Sequence, residues 1–124
     1  LARNGISIGA HTVNHPILCS VSSEIAHREI QDSKSYLEEL LQEKIEVFAY
    51  PNGKPELDYR EEHRDIVKEL RFKAAVSTHW GVSTSESDRF QLPRFTPWDR
   101  QELKFAIRLL ASYRSVDPLI ASAR

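Results

Sequence analysis

Ile6-Ser7-Ile8-Gly9-Ala10-His11-Thr12-Val13-Asn14-His15-Pro16 decides how the rest of the chain is read. An apolar run leads into two histidines four residues apart, and Ile6 to His11 reads as a short buried strand. A helix-like turn after that strand puts positions i and i+4 on one side. Neutral imidazole is a common ligand for zinc and similar metals, so His11 and His15 form a candidate clamp for a divalent ion. Two imidazoles do not complete a catalytic site, which normally takes three protein ligands and keeps a fourth position open. The chain has five histidines, so such a pair also arises by coincidence in an unrelated α/β domain. Position favours the metal, because parallel-sheet enzymes carry functional residues at strand ends.

Working outward, helices and strands alternate. Ser22 can cap a helix running to Lys44, with Ile25, Ala26, Ile30, Leu37, Leu40 and Leu41 as its apolar stripe. Ile45 to Tyr50 is a second strand, and Pro51-Asn52-Gly53-Lys54-Pro55 breaks into a loop. A charged helix spans Tyr59 to Phe72, with Ile66, Val67 and Leu70 facing inward. Lys73 to Thr78 is a third strand and Gly81 to Asp88 a polar loop. Phe90 to Phe95 is a fourth short strand, which Pro93 confines to an edge or a strand end. Asp99-Arg100-Gln101-Glu102 forms a capping box for a last helix, with Leu103, Ala106, Ile107 and Leu110 inside. This alternation predicts an α/β fold with a parallel sheet and right-handed crossovers. On such a sheet His11 to His15, Tyr50 to Gly53, Ser77 to Trp80 and Leu92 to Pro97 share one face.

Composition fits one globular domain over residues 1–124, with 40% hydrophobic and 28% charged residues. A net charge of −1 leaves no electrostatic footprint for nucleic acid, and no apolar run reaches bilayer length, so no transmembrane segment is expected. The single Cys19 excludes an internal disulfide. A small buried thiol is its simplest reading, and a ligand role near the histidines is the alternative. Methionine is absent, and Leu1-Ala2-Arg3-Asn4-Gly5 reads as a helix end closed by a turn glycine. The expectation is a piece of a larger domain with further sequence upstream. Nothing indicates a compartment.

The ordered set of Gly9 to Pro16, a long helix, Phe48-Ala49-Tyr50-Pro51-Asn52-Gly53, Ala74-Ala75-Val76-Ser77-Thr78 and Leu92-Pro93-Arg94 resembles the polysaccharide deacetylases of carbohydrate esterase family four. The resemblance runs over residues 5 to 97. It implies parallel strands alternating with helices, as part of a distorted (β/α) barrel lacking its N-terminal strands. It also implies a metal-dependent hydrolase that removes N-acetyl groups from a glycan or sugar polymer. The family holds its metal with two histidines and an aspartate, which makes His11 and His15 the histidine ligands and zinc the expected ion. The aspartate ligand and the aspartate base lie near the barrel's first strand. No neighbouring aspartates precede His11, so both are expected upstream, and the fragment alone is expected to be inactive.

By the same resemblance, Asn52 supplies the backbone N–H for the oxyanion. Ala49 stands where an arginine often begins that motif, and Asn52 where an aromatic residue is common. Arg94 is a candidate for the missing positive charge, or else a surface arginine. No late histidine motif follows Phe95, and His79 is either a substitute or a plain loop residue. Tyr50, Trp80 and Trp98 are candidate substrate-binding residues, the tryptophans stacking on sugar rings or packing in the core. His27 and His63 read as solvated. The partner implied is an N-acetylated glycan. The alternative function is a non-catalytic relative that binds carbohydrate or protein, and an upstream aspartate pair would separate the two. The strand at Ile6 to Ala10 is expected to leave an open edge prone to self-association.

Overall fold

The computed structural model describes residues 5–95 and 98–112. Ser22 caps the first helix, α1 (Ser23–Leu41), its hydroxyl accepting the Ile25 N–H. The face turned inward carries Ala26, Ile30, Ser33, Leu37 and Leu41 at helical spacing. Two residues of the expected stripe, Ile25 and Leu40, are exposed instead. Ser33 takes a buried place because its hydroxyl donates to the Ile30 carbonyl, so no polar group is left bare. The helix stops short of Lys44 because Gln42 turns left-handed, with φ 53°.

Strand β1 (Val47–Ala49) pairs in parallel with β2 (Ala74–Val76), Phe48 lying opposite Ala75. Helix α2 (Glu61–Glu69) connects them and packs on α1. Single parallel bridges extend the sheet on both sides, Ala10 to Phe48 and Leu92 to Val76. Ala10, β1, β2 and Leu92 therefore follow one another across the sheet in chain order. The parallel α/β arrangement is as expected, but the outer strands foreseen at 6–11 and 90–95 shrink to one bridging residue each. Ile6 is 49% exposed, so its apolar run is not the buried strand that was expected. Gly9 lies so close to β1 that a Cβ there would stand 3.0 Å from the Val47 carbonyl oxygen. On the far side Leu92 exchanges bonds with Ala75 and Ser77, and Pro93 then has no N–H to continue the ladder.

The core gathers around β1. Phe48 is fully buried, with the rings of Tyr50 and Phe72 against it at 5.2 and 5.5 Å. Ile30 from α1, Val67 from α2 and Ala75 from β2 close over it. Each large apolar side chain buried this way contributes about 1.5–3 kcal/mol.

Two local expectations are corrected. His63, read as solvated, is 1% exposed. Its Nδ1 accepts the Arg60 N–H at 2.9 Å, the job a glutamate or glutamine does in a capping box. The capping box expected at Asp99 does not form. Helix α3 (Glu102–Ser112) begins later, the Phe105 N–H bonding to Gln101, while Asp99 pairs with Arg108 at 2.7 Å. The expected inner face of α3 points outward, with Leu103 at 73%, Ile107 at 58% and Leu110 at 67% exposed. Phe105 ties this helix to Phe95. Among the described residues no helix is long and apolar enough to cross a membrane. The expected helix end at residues 1–4 lies outside the described residues.

Candidate metal centre and oxyanion loop

His11 leaves the sheet directly after Ala10, whose N–H bonds to the Val47 carbonyl and whose carbonyl accepts from Ala49, both at 2.9 Å. Its Nδ1 lies 2.7 Å from the Ala49 carbonyl oxygen. A carbonyl only accepts, so Nδ1 carries the proton, and in the neutral ring Nε2 is then the nitrogen with the lone pair. Metal-binding histidines are commonly oriented by such a second hydrogen bond.

His15 returns to His11 through a tight bend rather than a helical turn. Thr12 and His15 are both left-handed, with φ 62° and 56°. The Thr12 hydroxyl donates to the His11 carbonyl at 2.5 Å and accepts the His15 N–H at 3.1 Å. The two rings meet edge-on, centroids 4.8 Å apart and planes at 74°. Both histidines are exposed. A left-handed β-branched residue costs about 1–3 kcal/mol, and such strain concentrates at functional sites.

Glu29 on α1 holds this bend. Its Oε2 accepts the N–H groups of Val13 and Asn14 at 2.9 and 2.8 Å, and its Oε1 accepts the Asn14 side-chain amide at 2.6 Å. Burial pushes the Glu29 carboxyl up, but the bonds from the Asn14 side chain and from the Asn14 and Val13 backbone outweigh it. The group is held below its ordinary range. Hydrogen bonds to a charged group contribute about 1.5–3 kcal/mol each, enough to offset the strain at Thr12. Sequence reasoning gave Glu29 no role. The available signal was a carboxylate beside Ile30 and one turn after Ala26, at the margin of the buried stripe.

Two neutral imidazoles suit a borderline metal such as zinc. Among the described residues no third His, Cys, Asp or Glu joins them, so the set there is one ligand short of a catalytic zinc. Cys19 stays apart, on the 3-10 turn Leu18–Ser20. Burial raises its thiol above the ordinary value.

The second element is the loop after β1. Asn52 is left-handed at φ 55°, and Gly53 follows at φ 76°. The Gly53 N–H turns back to the Pro51 carbonyl at 2.6 Å, the Thr78 hydroxyl donates to the Asn52 carbonyl at 2.6 Å, and the Thr78 N–H reaches the Gly53 carbonyl at 2.8 Å. A Cβ on Gly53 would stand 3.0 Å from both the Thr78 nitrogen and the Tyr50 carbonyl oxygen. These neighbours are therefore committed, while Asn52 is an exposed residue whose N–H has no partner among the described residues. It leaves the sheet at the same end as His11, since Ala10 and β1 are paired.

The remaining candidates separate. Tyr50 is 2% exposed, stacked on Tyr59 at 3.8 Å, with its hydroxyl donating to the Phe90 carbonyl at 2.9 Å. Burial pushes both tyrosine hydroxyls well above their ordinary range. Tyr50 is a core residue that offers no surface to a glycan, which corrects its expected substrate role. Arg94 is exposed, its N–H bonded to the His79 carbonyl, and its guanidinium pairs with no described carboxylate. His79 is half-buried, its N–H bonded to the Ser77 hydroxyl, and it does not join the histidine pair. Trp80 is partly exposed against Phe95, and Trp98 is 77% exposed.

The chain is similar to "Putative polysaccharide deacetylase YxkH" of Bacillus subtilis (strain 168), with 26% identity over 94 residues that make up 76% of this chain and 32% of that protein. Its fold is similar to that of the Streptococcus pyogenes deacetylase PplD, solved in complex with acetate. The TM-score is 0.72 at 28% identity, covering 81% of this chain and 42% of that one. The chain thus spans less than half the length of either. The sequence profile described as polysaccharide deacetylase matches residues 1–75, which include both histidines and the Asn52 loop. The chain belongs to the polysaccharide deacetylase family.

Proposed function

We propose that this chain contributes the histidine clamp and the oxyanion loop of a metal-dependent hydrolase that removes N-acetyl groups from a glycan. The observation that carries this reading is the contact between His11 and His15, with the Nδ1 of His11 bonded to a carbonyl and its Nε2 left free. His11 and His15 would hold the divalent metal, with zinc the ion that suits them. Such an ion, when bound, lowers the pKa of water and polarises an acetamide carbonyl. Water adds to that carbonyl carbon, the C–N bond breaks, and acetate and the free amine leave, the amine taking a proton. The Asn52 N–H is free to donate to the carbonyl oxygen as it becomes an oxyanion. Arg94 supplies positive charge on this side of the sheet, and the exposed indoles of Trp80 and Trp98 offer faces for sugar rings. The chain-order parallel pairing supports reading residues 1–124 as an arc of a distorted (β/α) barrel. Among the described residues Ala10 bridges to Phe48 alone, and its open side is the edge we assign to self-association.

The test is acetate release from N-acetylglucosamine oligomers by the full-length protein that carries this sequence. A chelator should abolish release and zinc should restore it, and His11→Ala or His15→Ala should lower turnover by about 10²-fold or more. Release that survives the chelator and both substitutions would overturn the reading. Residues 1–124 by themselves should release none, because no described carboxylate completes the ligand set. That incomplete set also favours one alternative, a non-catalytic relative that binds carbohydrate or protein. Oligomer binding without acetate release at any zinc concentration identifies it.

A further inference from the structure

We propose that Glu29 is a positioning residue for the histidine pair, fixing from α1 the bend that sets where His11 and His15 stand. The inference rests on the reading of that pair as a metal centre. The bend is left-handed at both Thr12 and His15, so it does not hold its shape by ordinary backbone preference. Between those two residues lie Val13 and Asn14, and both of their backbone N–H groups go to one oxygen of Glu29. The other oxygen takes the Asn14 amide. The carboxylate thus closes over the whole middle of the bend while touching neither imidazole.

Its own position is fixed. Ala26 and Ile30, on either side of it along α1, are both fully buried. His11 is held separately, by the Ala49 carbonyl at the end of β1. The pair is therefore gripped between a helix and a strand that share one core. Loss of the helix side leaves His15, among the described residues, with the hydrogen bond to Thr12 and the ring contact with His11. Glu29→Ala removes all three bonds. Glu29→Gln keeps an acceptor oxygen but turns an amide N–H₂ towards a donor, so its effect falls between.

The test reads the rings and the metal separately. Imidazole NMR of the metal-free protein should show one sharp set of resonances for His11 and His15, with His11 as the Nδ1–H tautomer. Glu29→Ala should broaden or split that set and weaken zinc binding ten- to a hundredfold, with Glu29→Gln intermediate. Asp32→Asn, on the same helix with no bond to the bend, should change neither. Melting curves check that the variants fold, and if Glu29→Ala unfolds then Glu29→Gln decides. Unchanged rings and zinc affinity in a folded variant would overturn the positioning role and leave the metal centre standing. Disturbed rings together with no zinc binding by the unsubstituted protein would uphold the positioning role and remove the metal reading.

Discussion

His63 carries a pH dependence that its exposure alone would hide. Burial holds its imidazole below the ordinary value of 6.5, and its Nδ1 must stay unprotonated to accept the Arg60 N–H. The unfolded chain takes up a proton near 6.5 and the folded chain does not. Stability is therefore full above that pH and falls as pH drops through it. His63→Gln keeps an acceptor at that position and should flatten the slope, measured as denaturant midpoints between pH 5 and 7. If the Asn52 loop serves the oxyanion as proposed, its backbone matters more than its side chain. Asn52→Ala should change turnover less than about tenfold, whereas Asn52→Pro, which removes the N–H, should cost about 10²–10³-fold. Equal small losses in folded variants would make the loop a structural turn. The meeting of His11 and His15 was legible from their spacing after a strand. The bend that joins them was not, because an i, i+4 reading presupposes helix while Thr12 and His15 are left-handed. The role of Glu29 was not legible for another reason: its place at the margin of the stripe does not name its partners, which lie 15 and 16 residues away.

Elements were legible where a local signal and the core agreed. Ser22 marked the start of α1, and the apolar segments at β1 and β2 named the strands that pair. Strand lengths were not legible, because a ladder ends where its neighbour does, and here the neighbours are single residues at Ala10 and Leu92. The α3 start differed from the expected capping box because Asp99 pairs with Arg108, nine residues on, rather than with the first turn. The turn after β1 gives the sharpest prediction at this scale. Gly53→Ala must place a Cβ 3.0 Å from backbone atoms on two sides while keeping φ at 76°. It should destabilise the fold by about 1–3 kcal/mol, read from denaturant melts. A neutral result would mean that the turn relaxes freely and that Thr78 does not brace it.

At the scale of the whole molecule, two surfaces stand open among the described residues. One is the unpaired side of Ala10, and the other is the Leu103, Ile107 and Leu110 face of α3. Residues 1–124 at high concentration should show a mass above the monomer in light scattering, since open strand edges and apolar faces favour association. A strictly monomeric mass would show that neither surface associates. The parallel α/β architecture was readable from alternating segments, whereas the outward face of α3 was not, because periodicity reveals an apolar face without saying what covers it. The central claim is that His11 and His15 hold one metal ion together. X-ray absorption on the zinc-loaded protein should count two imidazole nitrogens at about 2.0–2.1 Å, and one in each of His11→Ala and His15→Ala. An imidazole count unchanged by either substitution would contradict the claim.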